Sequence, residues 1–164
     1  MQRLMASTAD CQRIHRVIWR GSVLSSDQRE LFCHFQGPDA ESVRLASRQA
    51  GGPPARVWPC LVQDAVGVTE ADLMRANVIV GHGFETPAEF GERELMVEVD
   101  MGCFKLHRVR LLRSYLSLDR LRMFSLYEAP DAESVRIAQR QAGLPPDRVW
   151  AGTRFAPEDA LNSS

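Results

Sequence analysis

Cys103 and His107 stand four residues apart, the spacing that puts two side chains on one face of a helix. Thiolate and imidazole together bind nickel, zinc or copper. Cys11 and His15 repeat the pair, so the four residues form a candidate metal set if their helices approach. The competing expectation is a cysteine packed as a small hydrophobe, with a histidine well placed at a helix C-terminus. His82 is a further candidate metal ligand. It lies between Gly81 and Gly83, and flanking glycines let a ligand or another strand approach the backbone closely. Arg113 and Tyr115 alternate along one strand and so share a face. With Tyr127 and Glu128 on the next strand, they are candidates for holding an anion or a small polar ligand. His34 reads as a polar residue of a core or edge strand. Glu41 and Glu133 follow helix N-caps by two residues and favour the positive helix end. No Gly-rich phosphate loop, HExxH or GxSxG pattern occurs, and no catalytic residue is assigned.

The elements that carry these residues come in duplicate. Residues 38–58 and 130–150 are identical at 17 of 21 positions at a constant offset of 92, far beyond the roughly one chance match, so the unit is repeated within the chain. The offset also aligns Cys11, His15 and Val17 with Cys103, His107 and Val109. Met1 falls opposite Arg93, so the first copy is expected to lack a counterpart of Val78–Glu92, which holds an opening strand. In the second copy, Asn77–Glu85 reads as a strand. Thr86-Pro87 then reads as the start of a helix running to about Leu106. Val109–Ser117 and Leu121–Glu128 read as a hairpin, Asp131 as the N-cap of a helix, and Arg148–Phe155 as the last strand. The order βαββαβ is the ferredoxin-like plan. In the first copy the corresponding elements are a helix from about Gln2 to His15, strands Val17–Leu24 and Glu30–Gln36, a helix Asp39–Ala50 and a strand Arg56–Val62. Thr69–Asp72 marks a helix start between the copies.

The expected architecture is therefore α+β: two tandem ferredoxin-like units packed through their sheets as a pseudo-dimeric α/β barrel, the first lacking its opening strand. The division is residues 1–63, a linker 64–77, the complete copy 78–157 and a tail 158–164. Twenty basic residues stand against 21 acidic ones, a balance that gives no support to nucleic-acid binding. No apolar run approaches the length that spans a bilayer. Four cysteines without CxxC pairing fit reduced thiols in the cytoplasm.

Ser114-Tyr115-Leu116-Ser117, the run Phe124–Asp131, Ala142-Gly143-Leu144-Pro145 and Arg148-Val149-Trp150 together resemble a bacterial family of small domains of unknown function with nickel-binding members. The resemblance covers about Val78–Phe155 well and Met1–Leu61 more loosely. It implies a ferredoxin-like fold, dimerisation through the sheet and a bound transition-metal ion such as nickel, and it implies no enzymatic activity. The family pattern carries a histidine just before Ser-Tyr. Here that position is Arg113 in the second copy and Gly21 in the first, and an arginine stays protonated and cannot ligate a metal. The expected function is a non-enzymatic cytoplasmic binding protein for a nickel-type metal ion or a small ligand. The alternatives are an enzyme of the dimeric α/β-barrel kind acting on a small organic substrate, or a structural or protein-interaction module.

Overall fold

A computed structural model of the chain describes residues 12–88 and 101–157. Along it run β1 (Ile18–Ser25), β2 (Leu31–Gln36), α1 (Ala40–Gln49), β3 (Cys60–Asp64), α2 (Glu70–Leu73) and β4 (Val78–Gly83). There follow α3 (Met101–Leu106), β5 (Arg110–Ser117), β6 (Arg122–Glu128), α4 (Ala132–Gln141) and β7 (Arg148–Phe155). The fold is mixed α+β with antiparallel strand pairs. Two compact units divide the chain, and neither is one continuous stretch. The first takes Met1–Ser22, Phe32–Pro59 and Ala156–Ser164, and the second takes Val23–Leu31 and Cys60–Phe155.

In the first unit α1 begins where the Asp39 carboxylate accepts a hydrogen bond from Ser42 N at 2.7 Å, satisfying one of the orphan donors of a helix start. Val43 and Ala46 on its apolar stripe pack on Val17, with Phe35 and Val57 beside them. Arg44 ties the helix to the Val57 carbonyl at 3.0 Å.

The second unit holds the strand order β7-β4-β6-β5-β3. Its registers pair Val78 with Tyr127 and Ala151, Ser114 with Ser125, and Val62 with Tyr115. Side chains alternate across a strand, so this register sorts the sheet into two faces. One face carries Val78, Val80, Val149 and Tyr127, which bury against Phe104 of α3 and Val135 and Ala138 of α4. The opposite face carries Ile79, Leu126, Phe124, Trp150, Arg113 and Tyr115. α4 starts at Asp131, whose carboxylate accepts from Ser134 N at 2.7 Å, and ends at Gly143 with φ +70°, the left-handed C′ conformation that favours glycine.

The offset of 92 reappears hydrogen bond by hydrogen bond. Ser25 Oγ donates to Asp27 at 2.6 Å and Ser117 Oγ to Asp119 at 2.5 Å. Each serine then accepts from the backbone N–H of Glu30 or Arg122. His15 Nε2 lies 3.0 Å from Gln49 Oε1, and His107 Nε2 lies 2.9 Å from Gln141 Oε1. Arg16 and Arg108 have φ of 55° and 54°, and Gln28 and Arg120 both have φ of 59°.

Two expectations need correction. Thr86-Pro87 does not open a helix. The backbone N–H of Phe84 and of Ala88 donates to the carbonyls of Leu121 and Arg120, so this segment runs on along the β5–β6 turn. Residues 89–100 of the expected helix lie outside the described residues, as do 2–11 of the helix expected before His15 and 158–164 of the tail. The strand expected at Arg56–Val62 is β3, at Cys60–Asp64. Pro53, Pro54 and Pro59 lack the N–H a ladder needs, and pairing starts only once Cys60 meets Ser117. β3 joins β5 edge to edge within the second unit.

Candidate functional site

Arg113 and Tyr115 share the sheet face opposite α3 and α4, as strand alternation requires. A β-bulge between Leu111 and Arg113 re-aims the strand just before them, a common use of bulges. The Arg113 guanidinium grips Asp64 with two parallel bonds, Nε to Oδ1 at 2.5 Å and Nη2 to Oδ2 at 2.9 Å. Nη2 also reaches Glu70 at 3.5 Å. This fork-to-fork pair holds the arginine protonated more firmly than usual, Asp64 being the largest cause. Tyr115 is 1% exposed, and its phenol lies under the influence of the Arg113 and Arg154 guanidiniums. Burial pushes the Tyr115 phenol up, against the pull of the two arginines, so it is a neutral hydroxyl at physiological pH.

Arg154 was not visible as a site residue in the sequence. It lies on β7 in the i, i+4 relation to Trp150, so strand alternation puts both on one face. That period was the available signal, but nothing in it points to Tyr115. Three strand steps of about 4.8 Å separate β7 from β5, and only curling of the sheet lets an arginine and a tyrosine on these strands meet. Phe124, the direct partner of Tyr115, meets Trp150 edge-on at 6.0 Å. A Cβ on Gly81 would lie 3.1 Å from the Phe124 ring, a tight contact.

The other candidates fall elsewhere. Tyr127 turns to the opposite face, where its hydroxyl accepts from Gln139 Nε2 at 2.7 Å and its ring stacks on Phe104. Glu128 belongs to an ion cluster with Arg75 at 2.9 Å and Arg110 at 3.7 Å. Asp72 joins it through both arginines, its carboxyl held well below the usual range by the Thr69 backbone and then Arg110. The four residues Arg113, Tyr115, Tyr127 and Glu128 are thus not one site. His82 is buried, stacked on Phe84, with Nε2 3.5 Å from the Leu144 carbonyl. Cys103 is half-buried, its backbone carbonyl accepts from His107 N, and His107 is engaged with Gln141. His15 is likewise engaged with Gln49, and Cys11 lies outside the described residues.

Among the described residues no group of three or more His, Cys, Asp or Glu stands close enough to hold a metal ion. Cys103 and His107 supply at most two donors, so these residues do not by themselves fit a nickel site. A cleft of about 570 Å³ opens beside β7, lined by Asp27, Glu30, Arg136, Arg140, Arg148 and Trp150 among others. Arg148 pairs with Glu30 and stacks over Trp150 at 5.1 Å. No described helix is long and apolar enough to cross a membrane.

The family described as nickel responsive protein SCO4226-like matches residues 1–60 and 84–151. No curated protein matches the chain. Among solved structures, the crystal structure of SCO4226 from Streptomyces coelicolor A3(2) is similar at 19% identity, over 45% of this chain and 91% of that one, with a TM-score of 0.41. With more than half of its residues matched in two segments, this chain belongs to the nickel responsive SCO4226-like family.

Proposed function

We propose that the protein is a non-enzymatic binding protein for a small polar ligand held at Arg113 and Tyr115. The carrying observation is that a neutral phenol and a guanidinium, both nearly sealed from water, share one sheet face beside two aromatic rings. Convergent polar groups set among aromatic side chains are the usual make-up of a small-ligand site. Calorimetric titration of the purified chain with small polar ligands tests it. The expected result is saturable binding that Tyr115→Phe weakens, and ligand binding unchanged by Tyr115→Phe and Arg113→Met would remove it.

A second reading, a nickel-type transition-metal ion, is favoured by the family to which the chain belongs. Elemental analysis with nickel titration separates the two. A metal binder takes up nickel stoichiometrically and loses it in His107→Ala or His82→Ala, whereas a small-ligand protein takes up none.

We further infer that each copy follows the ferredoxin-like plan, with the division between copies at 64–77. The order β7-β4-β6-β5 and the hydrogen bonds repeated at an offset of 92 support this. A cytoplasmic setting rests on the sequence alone.

A further inference from the structure

We propose that Arg154 makes this site a receptor for one small monocarboxylate per chain. The inference rests on the small-ligand reading above and names its ligand class. Arg154 is 8% exposed, and an arginine remains protonated in any protein environment. Its neighbour Arg113, equally buried, has the Asp64 carboxylate in a two-bond grip and Glu70 behind it. Arg154 has nothing comparable. Among the described residues its guanidinium meets the neutral Tyr115 phenol and no carboxylate, and its Nε has no hydrogen-bond partner. A buried cation without a counter-charge is costly, and a carboxylate is the group that relieves it, because its two oxygens match the planar fork of a guanidinium.

The charge count sets the ligand class. Among the described residues one guanidinium is uncompensated, so a single negative charge neutralises the site, while the second charge of a phosphate dianion finds no partner. Phe124 and Trp150 share the face with Tyr115 and offer apolar contact to a short carbon chain. The repeat fixes the stoichiometry. Arg113, Tyr115 and Arg154 correspond at the offset of 92 to Gly21, Val23 and Val62, so the first copy carries none of the three polar groups.

The test is calorimetry and thermal unfolding of the full chain with sodium formate, acetate, phosphate and chloride at matched ionic strength. Formate and acetate are expected to bind saturably at one site and raise the unfolding midpoint, with phosphate and chloride at least about tenfold weaker. Arg154→Met is expected to abolish the response, and Arg154→Lys to weaken it while keeping it. In the unmodified chain, formate is expected to perturb the near-ultraviolet absorption of tyrosine, a readout that needs no variant to fold. Equal responses to all four anions, or no tyrosine perturbation, overturn the proposal. Carboxylate binding retained in Arg154→Met overturns the role of Arg154 while leaving the small-ligand reading in place. Failure of every small ligand at the calorimeter sinks both.

Discussion

Asp64 has a side chain 42% exposed, against 10% for the Arg113 it holds, so the two ends of this pair differ in what their loss costs. Removing the carboxylate leaves a nearly buried guanidinium short of its main counter-charge. Asp64→Ala is therefore expected to lower stability by about 1–3 kcal/mol, read as the shift of the urea midpoint. Asp64→Asn, which keeps one acceptor oxygen, should lose less. Equal stability of Asp64→Ala and the unmodified chain would mean that water replaces the carboxylate. The site residues were unevenly legible. Arg113 and Tyr115 were visible because strand alternation puts them on one face, and the same alternation sends Tyr127 to the other face once the register is known. Asp64 read as linker and Arg154 only as part of the last strand, because their partners lie 49 and 39 residues away and no local pattern links them.

Strands and helices carry the next set of expectations. Gly152 of β7 lies so close to the end of β1 that a Cβ would sit 2.5 Å from the Leu24 carbonyl oxygen and 2.8 Å from Val23 Cγ1. Backbone cannot swing aside as a side chain can, so Gly152→Ala is expected to cost about 1–3 kcal/mol, measured by chemical denaturation. Gly81→Ala meets only the turnable Phe124 ring and should cost less. The turns and caps set the acid response. Asp27 and Asp119 are pulled below the ordinary value of 3.8, first by the Ser25 and Ser117 hydroxyls. Asp39 and Asp131 are pulled down first by the backbone N–H groups of Ser42 and Ser134. A carboxyl whose pKa is lower folded than unfolded contributes stability above its unfolded value and loses it as pH falls through the folded one. The urea midpoint should therefore hold steady above about pH 5 and drop below about pH 4. The double variant Asp39→Asn, Asp131→Asn should show a shallower drop, since an asparagine caps a helix without titrating.

Residues 38–58 recur at 130–150, and the repetition makes its own test. Gly51 and Gly143 follow α1 and α4 with φ of 81° and 70°, and a Cβ at either meets nothing within 4 Å. Alanine at each should cost only the left-handed strain, about 1 kcal/mol, equal at both positions and additive in the double variant. Unequal losses in urea titrations would mean that the two copies do not share one local energetics. By itself the sequence determined the duplication, the βαββαβ order of elements in the second copy, the helix caps and the hairpin turn, because each depends on residues a few positions apart. Only the tertiary structure decided that β3 pairs along β5, that Phe84–Ala88 follows a turn instead of starting a helix, and that Arg154 comes within range of Tyr115. Those outcomes depend on which strand edge lies nearest and how the sheet curls, and a local pattern of residue types carries no information about either.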